Sequence, residues 1–72
     1  MLYVLQLSYP HGDAFIWGIT EAEKRLIERI CEQHLPLPLI RGERMFSVDD
    51  ARPVIIAPES SDFAIRNARR KT

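Results

Sequence analysis

Apolar residues near the start of the chain recur with a period of two. Tyr3, Leu5, Leu7 and Tyr9 fall on one face of an extended segment, and Leu2, Val4, Gln6 and Ser8 on the other. This alternation predicts a strand over residues 2–9. Pro10-His11-Gly12-Asp13 then reads as a turn, since proline presets φ at the second turn position and Gly12 accepts positive φ. Ala14 to Ile19 is the expected return strand, with Phe15, Trp17 and Ile19 on one face. Together the two segments predict an N-terminal β-hairpin.

The period then changes. Thr20-Glu21-Ala22-Glu23 has the form of a capping box, with the Thr20 hydroxyl and the Glu23 carboxylate each taking the other's backbone N–H. Leu26, Ile27, Ile30, Cys31 and His34 follow at helical spacing, and charged residues fill the opposite face. Glu21–Arg25 and Lys24–Glu28 stand at i,i+4, each pair contributing a few tenths of a kcal/mol. Leu35 precedes Pro36, which disfavours helical backbone, so the amphipathic helix is expected to end near His34.

Beyond it, Leu35-Pro36-Leu37-Pro38 reads as an extended connector. Its P-x-P spacing does not place two prolines on one polyproline edge as P-x-x-P does. Residues 39–41 and 44–48 pair across Gly42-Glu43, where glycine at the first loop position suits a type II′ turn. Alternatively, Ser47 and Asp50 open a helical turn at residues 49–52. Val54-Ile55-Ile56-Ala57, bounded by Pro53 and Pro58, reads as a short buried strand. Residues 62–71 combine strand-like alternation of Phe63 and Ile65 with helix signals: a serine cap, Asp62 in the first turn and basic residues in the last. The dipole favours the helix. The expected fold class is α+β: a small single domain with an N-terminal β-hairpin, an amphipathic helix, short strands and a C-terminal helix. Its compact part spans residues 1–65, followed by a basic tail over residues 66–72.

Composition sharpens this picture. A chain of 72 residues buries roughly 60% of its unfolded surface, which gives a thin core. Its one cysteine, Cys31, excludes an internal disulfide, and a lone thiol fits a reducing compartment. Residues 1–9 lack the charged region of a signal peptide and are too short to span a bilayer, so a cytoplasmic protein without membrane contact is expected. The formal charge is zero but unevenly spread. Residues 63–72 carry Arg66, Arg69, Arg70 and Lys71 and no acid, which leaves residues 1–62 at −4.

Candidate chemistry is sparse. Cys31 and His34 stand at i,i+3, the minimum for thiolate catalysis, but no oxyanion hole or orienting group accompanies them. Cys31 lies in the apolar stripe, where a neutral thiol is a small hydrophobe. Adding His11 gives three zinc ligands from distant elements without motif spacing. Asp49-Asp50 with Glu43 lacks the phosphate-cradling loop that usually accompanies Mg²⁺. His11-Gly12-Asp13 reads as turn chemistry. No enzyme activity, metal or cofactor is expected.

Binding residues are better represented. Tyr3, Tyr9 and Trp17 lie in the first hairpin, whose two faces both carry apolar area, and Arg41 and Arg44 lie in the second. Tyr, Trp and Arg are the types that most often carry interface energy, so these five are the expected partner-binding residues. Arg66, Arg69, Arg70 and Lys71 are expected to touch nucleic acid or an acidic surface. Four phosphate contacts give a salt slope near about −3.6, so affinity falls only ~10²-fold between about 50 and 200 mM salt. Specific recognition therefore needs a second surface. The size, the charge split and the lack of a catalytic constellation resemble in scale the phage- and plasmid-type regulators of bacterial RNA polymerase or nuclease complexes. No motif carries that likeness. The expected function is a non-catalytic interaction protein docking on a larger nucleic-acid machine. The alternative is a stand-alone or homodimeric nucleic-acid binder, against which the acidic body counts.

Overall fold

A computed structural model describes residues 1–35, 38–48, 51 and 54–70 of the chain. Strand β1 (Tyr3–Tyr9) and strand β2 (Gly12–Ile19) form the expected antiparallel hairpin. Tyr9 pairs with Gly12, so the loop is only Pro10-His11 and β2 starts two residues earlier than Ala14. Gly12 takes φ +146°, which an L side chain rarely adopts.

β1 is the central strand. It pairs on its other side with strand β5 (Val54–Pro58), giving a sheet of order β2-β1-β5. Its face carrying Leu5 and Leu7 makes the main core with Ile16 and Ile19 of β2 and with Ile27 and Ile30 of helix α1 (Glu21–Gln33). Strands β3 (Leu39–Arg41) and β4 (Arg44–Phe46) form a separate two-stranded ribbon, which closes the same core through Leu39 and Phe46. Val4 and Phe15, on the other face of the sheet, are also buried outside that cluster. So is Ala64 of the short helix α2 (Asp62–Arg66).

Two expectations about strands change. Phe15, Trp17 and Ile19 do not share a face, because the register shifts between Tyr3↔Ile19 and Leu5↔Ile16. The extra residue of β2 falls at Trp17-Gly18, and Gly18 takes φ +75°. This bulge puts both Ile16 and Ile19 on the core face. Strand β5 is half-buried rather than buried, since it lies at the sheet edge, the position where a strand tolerates proline.

The helix is bounded as its sequence dictates. Glu23 N–H donates to Thr20 Oγ1 at 3.2 Å, and Thr20 N–H donates to Glu23 Oε1 at 3.1 Å. At the other end His34 turns left-handed (φ 52°, ψ 40°) and Leu35 N–H donates to the Ile30 carbonyl at 3.2 Å. That six-residue closure is a Schellman ending, and Leu35 packs against the core. Thr20→Ala is expected to cost about 1 kcal/mol in urea unfolding, and Thr20→Ser much less.

The ribbon turns at Gly42-Glu43. Gly42 takes φ +62° and Glu43 is not among the positive-φ residues, which fits the II′ pattern. Residues 62–66 are helical rather than extended. Ser61 Oγ caps α2 by accepting from Ala64 N–H at 3.2 Å, and Ala68–Arg70 continues as a 3₁₀ turn. The first residues of the expected tail are thus ordered in helical turns. Pro36 and Leu37 of the connector, residues 49, 50 and 52 of the alternative turn, and Lys71 lie outside the described residues.

Candidate functional site

The structure places the five expected partner-binding residues in different settings. Tyr3, at the start of β1, donates its hydroxyl to Glu21 Oε2 at 2.6 Å, and Lys24 Nζ lies 5.4 Å from its ring centroid. The hydrogen bond to Glu21, with desolvation and the carboxylate's charge behind it, raises the Tyr3 pKa. The same bond, aided by Lys24 and Arg25, lowers that of Glu21. Tyr9, at the end of β1, donates to the Ser47 carbonyl at 3.1 Å, which ties the first hairpin to the chain after β4. Its ring stacks on His11 with centroids 5.4 Å apart and planes at 14°. Trp17 is half-buried at the bulge.

Arg41 is committed within the fold. Its Nη1 donates to Glu23 Oε2 at 2.8 Å, and its Nη2 donates to the Trp17 and Gly18 carbonyls, both at 3.1 Å. The Gly18 N–H freed by the bulge donates to Glu59 Oε2 at 2.7 Å. Arg44 is the contrasting case. It is exposed, with its guanidinium carbon 4.8 Å from the Phe46 ring centroid, and no carboxylate pairs with it among the described residues.

The ribbon exposes a paired apolar surface. Ile40 and Met45 face each other across the two strands and are 63% and 70% exposed. Leu39 and Phe46, one residue away on each strand, are buried. The ribbon therefore buries one face and offers solvent a rigid apolar pair on the other. Sequence reasoning proposed the hairpin but missed this pair. Its signal was the alternation of Leu39-Ile40 and Met45-Phe46 once the Gly42 turn sets the register.

Between the first turn and β4 lies a groove of about 480 Å³, lined by Tyr9, His11, Asp13, Arg44, Met45 and Phe46 among others. A second groove of about 340 Å³ runs between α1 and β5, with Cys31 flanked by Glu28, Glu32 and Lys24. Cys31 is half-buried against the core, and His34 is exposed at the left-handed end of the helix. Among the described residues no three His, Cys, Asp or Glu side chains gather to hold a metal ion. Asp49 and Asp50 lie outside the described residues.

At the C-terminal end Arg66 and Arg69 are exposed, and Arg66 Nε donates weakly to the Asp62 carbonyl at 3.4 Å. These two basic groups thus sit on successive helical turns. No described helix is long and apolar enough to cross a membrane. Comparison of the chain with protein-family models, with curated proteins and with solved structures gave no match.

Proposed function

We propose that this chain is a non-catalytic interaction protein that docks on a larger assembly through the outer face of the β3–β4 ribbon. The observation that carries this reading is the Ile40–Met45 pair, two large apolar side chains opposed in register and mostly exposed. Burying such side chains fully contributes about 1.5–3 kcal/mol each, which the isolated chain forgoes. A two-residue turn and the internal bonds of Arg41 hold the ribbon, so little ordering cost remains on association.

Arg66, Arg69, Arg70 and Lys71 supply an accessory contact to nucleic acid or an acidic groove of the same assembly. The acidic charge on residues 1–62 repels phosphate, so the tail serves a partner that brings nucleic acid with it better than a free duplex. This favours a nucleic-acid machine, such as a polymerase or a nuclease complex, as the partner. A reducing, cytoplasmic setting suits the lone thiol of Cys31.

The test is affinity capture from extract of the cells that express the protein, followed by binding to the recovered complex. Ile40→Asp is expected to weaken that binding about 30-fold or more, the effect of losing a central anchor, without lowering the thermal midpoint. Deleting residues 66–72 is expected to flatten the salt dependence. Equal capture by wild type and Ile40→Asp would remove the ribbon from the interface.

A further inference from the structure

We infer that the groove between the first turn and β4 binds a nucleotide unit, with the base on the Tyr9–His11 ring stack and the phosphate on Arg44. This goes beyond the docking reading: Met45 borders both surfaces, but Ile40 does not line the groove, so Ile40→Asp tests the docking surface alone.

The groove has the parts such a ligand needs, brought together from distant parts of the chain. Its volume of about 480 Å³ lies in the range of small-ligand sites, about 300–1,000 Å³. One wall is the β1–β2 turn, where the Tyr9 and His11 rings stack nearly parallel at 5.4 Å. The Tyr9 hydroxyl is anchored on the Ser47 carbonyl, and the two-residue loop leaves His11 little room to wander. An aromatic platform fixed in this way accepts a planar base without first paying to order itself.

The other wall is β4. Arg44 holds its guanidinium over the Phe46 ring at 4.8 Å and has no carboxylate partner among the described residues. A planar cation stacked in this way presents its N–H fork to an anion. Asp13 also lines the groove, but its Oδ2 accepts from Gln6 Nε2 at 3.2 Å on the sheet face away from Tyr9, so the charge offered to the ligand is that of Arg44.

One stack and one charge-assisted contact give a dissociation constant on the order of 10⁻⁴–10⁻³ M. Such binding is read well by amide chemical shifts of the full-length protein titrated with AMP to about 10 mM, roughly tenfold above the weaker limit. Shifts are expected at Tyr9, His11, Gly12, Arg44 and Phe46. Arg44→Ala and His11→Ala are each expected to weaken AMP about tenfold with the rest of the spectrum unchanged, and Ile40→Asp to leave AMP binding as it was.

A short single-stranded oligoadenylate distinguishes the source of the nucleotide. Binding well above that of AMP marks a strand, and equal binding a free nucleotide; either result supports the site. No groove shifts with AMP or the oligomer, wild-type AMP affinity in both groove variants, or the same shifts with inorganic phosphate alone would overturn the proposal. None of these outcomes bears on the docking of the ribbon, which Ile40→Asp reports.

Discussion

Leu5→Ala is expected to lower the free energy of unfolding by about 3–4 kcal/mol. Leu5 is fully buried in the central strand, opposite Ile16 of β2 and Ile56 of β5, and it belongs to the main cluster with Ile27 and Ile30. A cavity there has strands on both sides and a helix above, so it cannot collapse without moving the hairpin. A domain of this length has about 4–11 kcal/mol in total, and the substitution removes a third of that or nearly all. The thermal midpoint is expected to fall by about 15 °C or more. Leu5→Met conserves volume and is expected to cost less than about 1.5 kcal/mol. Urea unfolding of the two variants checks the claim. A Leu5→Ala loss below about 1 kcal/mol would mean that this face of β1 is not the packed centre of the molecule.

The elements that sequence reasoning placed are those set by short-range chemistry. The alternation of Tyr3, Leu5, Leu7 and Tyr9 describes the face that packs on α1. Thr20 and Glu23 start the helix as a capping box, and Gly42 turns the ribbon. Ser61 and Asp62 open a helix where Phe63 and Ile65 alternate like a strand, because the cap answers backbone N–H groups that alternation leaves unpaired. Strict alternation through Gly18 hides the bulge at Trp17-Gly18. A glycine inside an apolar strand is itself the signal for such a break.

The proposed surfaces are legible in the sequence only in part, for a reason of scale. Residue type marks Tyr9 and Arg44, and His11 reads as a turn residue, but nothing local brings them to one groove. That juxtaposition comes from β1 and the ribbon packing on one core, with Tyr9 bonded to Ser47 across 38 residues of chain. Arg41 was expected at an interface on residue type alone. Its partners at Trp17, Gly18 and Glu23 stand 24, 23 and 18 residues away, and only tertiary structure reveals them.

Arg41→Ala is accordingly expected to cost about 2 kcal/mol of stability in the isolated protein, before any partner is present. The guanidinium joins three elements: the N-terminus of α1 through Glu23, the bulge of β2 through two carbonyls, and its own strand β3. Removing it leaves the Trp17 and Gly18 carbonyls and one Glu23 oxygen in need of partners. Complete burial would make the loss about 3–5 kcal/mol, but the two side chains of the pair are 33% and 25% exposed, so water recovers part of it. Arg41→Lys restores the charge without the planar fork that spans carboxylate and carbonyls, and is expected to recover less than half. A double-mutant cycle with Glu23→Gln isolates the ion pair, since glutamine still offers an oxygen to the Thr20 N–H. A coupling energy of about 1 kcal/mol is expected for a pair at this depth. Unchanged stability of Arg41→Ala, together with lost capture of the larger assembly, would return Arg41 to the interface. The bulge would then have to hold its shape through Glu59 and glycine geometry alone.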